Sequence, residues 1–533
     1  MVIKMIANFG KYFRFILKRE GFMSSIWVVS LTAFSAIIVA MYPGLFPTAE
    51  AMQGLVATMN TPAMIALMGP VYGIEVASPA MVMAQECLIW LAIAVIIMNI
   101  FVVNRHTRAD EELGRFEMLA SLPVGRLANS AATIAFSFLL NLVVAVLIAV
   151  FLIIIPIEGA TITGALVYGL SIGMQGMVFA AVTLLAAQLF STARGSMGVS
   201  FAVMGVAYAL RAQGDVADNV LSYISPMGLG LKVEAFYSND FLPVGILMAE
   251  GVVLSLVALW VHSRRDIGAG IFPARKGRAH ASIALRGPLG WAVRMMRGSF
   301  IVWSIGIFAL GATYGAVIGE LDNFVENNEM ISQMLMAAGG MSMVDAFIAM
   351  LNPIMALIIT VPLINCIQRL HLEEKRGRLE SILSAAVPRI KLYGSFTLIA
   401  VIEAVVFTCL GALGLYVTAE ATGTVELTVL LQASLVYLPA IFCMIGLAAL
   451  LVGWRPKLSL AVWVVACYAF LMFYFGRIFT DIPEWVRKLS PFSNTPELPV
   501  QEFTATPLIV MCIIAIALWL VGLLGYRHRD LGR

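Results

Sequence analysis

Residues 82–103 read VMAQECLIWLAIAVIIMNIFVV, and residues 104–126 after them read NRHTRADEELGRFEMLASLPVGR. The first stretch carries one carboxylate, Glu86, in 22 residues. A helix needs about 20 apolar residues to cross roughly 30 Å of hydrocarbon, so this stretch is long enough to span a bilayer. The second stretch is dense in Arg, Asp and Glu and belongs in water. Spans of this kind recur along the chain. Apolar runs fall near Ser24 to Met41, Val82 to Val103, Ala131 to Ile155, Ala165 to Leu189, Met197 to Leu210 and Pro243 to Val261. Six more lie near Phe300 to Ile318, Ala346 to Ile367, Ser395 to Val417, Leu427 to Val452, Leu458 to Phe475 and Pro507 to Tyr526. The pattern predicts an all-α polytopic membrane protein with about twelve transmembrane helices, the fifth of them short for a span.

Composition excludes the alternatives. Of 533 residues, 61% are hydrophobic and 12% charged, about half the charge of an average soluble domain. The six cysteines, Cys87, Cys366, Cys409, Cys443, Cys467 and Cys512, all fall inside or beside apolar runs, so no disulfide framework or metal site is expected. No basic tail or groove suggests nucleic acid. The first apolar run is of spanning length, which makes it a span rather than a cleaved leader.

The distribution of charge sets orientation. Of 34 Lys and Arg residues, 29 fall on one face: the N-terminus, the segments after the second, fourth, sixth, eighth and tenth spans, and the C-terminal tail. Cytoplasmic loops hold that excess, so both termini are expected in the cytoplasm of a bacterial-type cell membrane. Loops 44–81, 319–345 and 418–426 on the other side contain no Lys or Arg. Phe9, Phe13, Ile16 and Leu17 alternate with Lys11, Arg14, Lys18 and Arg19, the pattern of a helix lying on the inner leaflet.

The chain also repeats. Gly114-Arg-Phe-Glu-Met-Leu-Ala-Ser121 aligns without gaps on Gly377-Arg-Leu-Glu-Ser-Ile-Leu-Ser384, an offset of 263, and Arg126 then falls on Arg389. Arg265-Asp-Ile-Gly268 and Arg529-Asp-Leu-Gly532 follow the sixth and twelfth spans, and Ser225-Pro226 and Ser490-Pro491 precede them. Two homologous six-span halves are therefore expected, residues 1–262 and 300–533. A basic linker at 263–299 joins them and ends in a second interfacial helix from Pro288. Halves of like topology are related by an axis along the membrane normal, where a pathway can lie.

The inner loops carry the candidate site. Glu111, Glu112, Gly114, Arg115, Glu117 and Arg126 in the first, with Glu373, Glu374, Gly377, Arg378, Glu380 and Arg389 in the second, place mixed charge on short helices suited to a soluble partner. Residues 111–126 resemble the loop after the second span of type-2 ABC export permeases. The double length, the Arg-Asp-Ile-Gly motif and Pro288-Leu-Gly-Trp291 resemble the fused permeases of polyketide-antibiotic and multidrug export. The resemblance implies that both loops are coupling helices under which two copies of a separate ATPase dock. ATP and Mg would then be bound by that partner, and hydrophobic small molecules would be expelled by alternating access. It further implies short outer helices in segments 212–242 and 477–506. The second loop departs from the pattern, with Lys375 in place of Glu112 and Ala386 in place of Pro123.

The chain has no Gly-x-x-x-x-Gly-Lys-Ser/Thr phosphate loop, so it is expected to be a transport subunit with no enzymatic motif of its own. A proton-driven twelve-span carrier is the alternative, but Asp110 lies four residues before Gly114 with no Arg directly after it. An intramembrane enzyme would need catalytic carboxylate pairs or His clusters that the sequence does not show. Inside the spans, Glu86, Glu250 and Glu403 are candidate contacts along a substrate pathway, since an intramembrane carboxylate usually faces a cavity or a partner. Gly311, Gly315 and Gly319 share one helix face suited to close packing. Methionines in 52–68 and 330–343 offer adaptable apolar surface.

Overall fold

The computed structural model describes residues 5–45, 55–56, 59–74, 78–120, 123–266, 268–272, 280, 282, 285, 287–326, 342–384, 387–419, 425–475 and 483–530. Among them, twelve helices are long and apolar enough to cross a membrane. The chain is an all-α multi-pass membrane protein. It separates into two compact units, Met1–Gly277 and Arg278–Arg533, each with six of these helices.

In the first unit the helices are α1 (Phe9–Leu45), α2 (Pro62–Met68), α3 (Pro79–His106), α4 (Arg108–Glu112), α5 (Arg115–Ala120), α6 (Ala128–Ile154), α7 (Ile162–Leu189), α8 (Ala193–Val216), α9 (Leu221–Ile224), α10 (Pro226–Leu231) and α11 (Leu242–Arg264). Helix α7 is the hub, touching α3, α6, α8 and α11. Lipid tails are as apolar as Leu, so these contacts depend on close packing more than on the hydrophobic effect. Small residues permit it: a Cβ on Gly169 would stand 2.3 Å from the Ala145 carbonyl oxygen. Between α3 and α6, Asn99 and Asn141 exchange side-chain hydrogen bonds of 2.8 and 3.1 Å.

The second unit contains α12 (Pro288–Glu326), α13 (Met343–Lys375), α14 (Arg378–Leu383), α15 (Arg389–Ala419), α16 (Leu427–Leu435), α17 (Leu438–Trp454), α18 (Ala461–Phe475), α19 (Glu484–Lys488) and α20 (Ala505–His528). The expected glycine face packs here. Cβ atoms on Gly311 and Gly315 would stand 2.3 and 2.2 Å from the carbonyl oxygens of Gly411 and Leu415, so α12 and α15 run backbone to backbone. The surroundings of Gly319, like Met52 and the methionines within 330–341, lie outside the described residues.

Three features differ from the sequence pattern. The two stretches expected to lie on the membrane as separate helices are each continuous with a span, as α1 and α12. On α1 the face turned inward is Tyr12, Ile16 and Glu20. Helix α8 is longer than the apolar run Met197 to Leu210, because Thr192 caps it and Arg211 and Asp215 are buried together at its far end. There Arg211 donates to the carbonyls of Ile65, Ala66 and Leu67, which close α2. The tenth run is interrupted between α16 and α17, where Pro439 in the first turn of α17 lacks the N–H a continuous helix requires. The segments 212–242 and 483–506 do hold short helices, α9, α10 and α19.

Candidate functional site

After α3 the chain turns into α4, and Gly114 ends α4 in the left-handed region at φ +70°, a conformation open to glycine without strain. Helix α5 then starts and is pinned by Phe116, 5% exposed. Two carboxylates are drawn inward behind this turn. Asp110 accepts both guanidinium nitrogens of Arg19 from α1, at 2.5 and 2.9 Å, and Arg115 Nη1 at 3.1 Å. Glu111 pairs with Arg108 at 2.8 Å and with Arg265, which follows α11. Arg108 is fully buried and also donates to the carbonyls of Ser191, Gly268 and Ala269. Arg126 donates to the carbonyl of Arg265. Glu112 Oε2 accepts the N–H of Ala193 at 2.8 Å, placing negative charge at the N-terminus of α8, where the helix dipole favours it. The first residues join the same assembly: Gly125 and Leu127 N–H groups donate to the carbonyls of Ala7 and Met5.

The second loop reproduces the arrangement at the repeat offset. Gly377 also has φ +70°, and Leu379, 2% exposed, stands where Phe116 does. Glu373 takes the place of Asp110 and pairs with Arg378 at 3.1 Å and Arg369 at 2.9 Å. Glu374 takes the place of Glu111 and pairs with Arg529 after α20. Arg389 donates to the carbonyls of Arg527 and Arg529. His371 stands where Arg108 does and lies 3.7 Å from Glu374. In both halves, the end of the last span is thus tied to the loop after the second by a carboxylate–guanidinium pair and by arginine–carbonyl bonds.

The twelve residues named from sequence therefore sort by how far each is engaged within its own half. Glu111, Arg126, Glu373, Glu374 and Arg389 are engaged inside their own half, and Gly114 and Gly377 shape the turns. Arg115 and Arg378 are half-exposed while bridging to the buried carboxylates. Glu112 is exposed but occupied as a cap. Glu117 and Glu380 remain exposed with no ion pair to the described residues. Sequence reasoning quoted Asp110, Arg265 and Arg529 without placing them in this site, and it missed the roles of Arg19 and Arg108. A signal was present: an acid after span two and an arginine after span six recur together in both halves.

The intramembrane carboxylates are not gathered into one site in either unit. Glu86 sits near the start of α3, within 3.4 Å of the Tyr42 hydroxyl. Glu250 is half-buried on α11. Glu403 is 3% exposed on α15 and makes no hydrogen bond to the described residues. A cleft beside α15 is lined instead by Asn352, Thr408, Gly411 and Ser434, with Ser434 donating to Asn352 at 2.8 Å. No group of three or more His, Cys, Asp or Glu among the described residues could hold a metal ion.

Residues 285–527 match the family model described as the C-terminal domain of the multidrug efflux system permease Rv1217c. Over 523 residues the chain is 30% identical to the multidrug efflux system permease protein Rv1217c of Mycobacterium tuberculosis, covering 97% of this chain and 94% of that protein. With twelve spans in two units and a repeated charged loop, the chain belongs to the family of double-length multidrug efflux permeases of the ABC type that Rv1217c represents.

Proposed function

We propose that this protein is the membrane subunit of an ATP-driven exporter that moves hydrophobic drugs or antibiotics out of the cell, with both termini in the cytoplasm. Two copies of a separate ATPase dock on the loops at α4–α5 and α13–α14 and bind ATP and Mg. The observation that carries this reading is the pair of equivalent clamps, Glu111 with Arg265 and Glu374 with Arg529. Each holds a short helix firmly to the first-mentioned unit's or second unit's own spans while leaving one carboxylate outside, Glu117 or Glu380.

The physical sequence follows from that geometry. A partner shifts a protein between states only as far as it binds them differently. Closure of the ATPase on nucleotide pulls on Glu117 and Glu380. The buried ion pairs pass the displacement to the elements tied to each loop, α1, α3 and α11 in the first unit and α13 and α20 in the second. Buried pairs are suited to this because parting them leaves uncompensated charge, at about 3–5 kcal/mol, so the ends move together. Substrate contacts are assigned to Glu403 first, with Glu250 and Glu86 as further positions on the pathway.

Reconstitution with the ATPase tests the reading. Glu117→Ala combined with Glu380→Ala is expected to abolish substrate-stimulated ATP hydrolysis while the complex still assembles. Efflux that persists with a catalytically dead ATPase and collapses with a protonophore would overturn it in favour of a proton-driven carrier.

A further inference from the structure

The two loops share a backbone but present unlike surfaces. Outward from α4–α5 stand Leu113, 62% exposed, Met118, 70% exposed, and Glu117. At the same repeat positions the second loop has Arg376, Ser381 and Glu380, all exposed, and Lys375 replaces Glu112. The acid is common to both. The two apolar side chains flanking it in the first loop are a cation and a hydroxyl in the second.

Lipid does not account for the exposed apolar pair. Leu113 and Met118 are interleaved with the exposed charges Glu112, Arg115 and Glu117, and sinking them into hydrocarbon would dehydrate those charges. A protein surface with an apolar notch beside a donor for the acid accommodates the whole face. Buried apolar anchors carry most of the energy of such contacts.

We infer that the two ATPase docks are unequal: the first loop, through Leu113 and Met118 around Glu117, is the primary anchor, and the second, with Arg376 and Ser381 around Glu380, is the weaker contact. This rests on the reading of both loops as ATPase docks and adds which one holds the motor when nucleotide is absent. A notch that accepts Leu113 meets a guanidinium at Arg376, which loses hydration on entry and gains no apolar contact. The second dock therefore depends on the charged contact at Glu380 and weakens as salt rises, whereas the first persists.

The test exchanges the two faces in the full-length permease and titrates purified ATPase without nucleotide. Leu113→Arg with Met118→Ser is expected to lower the affinity of the tighter site roughly tenfold or more. Arg376→Leu with Ser381→Met is expected to raise that of the weaker site and reduce its salt dependence. Equal effects of the two exchanges, or none, would overturn the inequality. If the first exchange leaves ATPase affinity unchanged and depth-dependent lipid quenchers reach a fluorophore placed on that loop, lipid covers that face and the proposal fails. Should the first variant not fold, the gain at the second loop decides alone. Leu113→Arg and Met118→Ser combined with Glu117→Lys and Glu380→Lys separates the two levels: ATPase binding that survives loss of the apolar pair and both acids overturns the docking assignment itself, while its loss with symmetric exchanges overturns only the inequality.

Discussion

Glu111 and Glu117 lie six positions apart on one loop and have opposite fates. The first is buried between Arg108 and Arg265, and the second stands in solvent. Glu111→Ala leaves two guanidinium groups short of a counter-charge, and the expected loss is about 3–5 kcal/mol, read as a lower unfolding temperature in detergent. Glu117→Ala removes an exposed side chain and should shift stability by less than about 0.5 kcal/mol while uncoupling ATP hydrolysis. The contrast separates clamp from contact in one pair of variants. Arg108→Lys belongs with Glu111→Ala: a lysine offers one ammonium where the buried guanidinium serves Glu111 and three carbonyls at once, so expression and unfolding temperature are both expected to fall. None of this sorting was legible from residue type. Sequence showed which carboxylates recur, but burial depends on the arginines that reach them from α1 and from the end of α11, far away along the chain.

Among the helices, the spans were readable in number and position, because length and hydropathy suffice to define a span, although α1 and α12 begin 15 and 12 residues before their apolar runs. What escaped were the places where polar side chains extend or divide a helix. Helix α8 outruns its apolar run because Arg211 finds three carbonyls and Asp215, an arrangement no local pattern encodes. The glycine face of α12 was readable and meets α15, since small residues at helical spacing have few other uses in a span. Gly315→Leu should therefore part α12 from α15. A side chain cannot fit where a Cβ alone would stand 2.2 Å from the Leu415 carbonyl oxygen, and the expected outcome is loss of folded protein on size exclusion in detergent. Gly198→Leu, at a position on α8 with nothing within 4 Å, is the control expected to be tolerated.

For the molecule as a whole, the internal repeat was the decisive signal and the family relationship agrees with it. Two units of six helices each bring their own loop, clamp and exposed acid, which is what two separate docks, as proposed, require. Transport is accordingly expected to fail when either clamp is broken: Arg265→Ala or Arg529→Ala alone should reduce drug efflux from inverted vesicles by an order of magnitude or more with ATP binding to the partner intact.

The clamps also impose an order on manufacture. Glu111 leaves the ribosome 154 residues before Arg265, and Glu374 precedes Arg529 by 155. Until the sixth helix of a half has been threaded into the membrane, its loop lacks the arginine, Arg265 or Arg529, that ties it to the last span. On the proposed docking, a half-made permease has no finished surface to offer, and recruitment of the ATPase is expected to await completion of the six-helix unit.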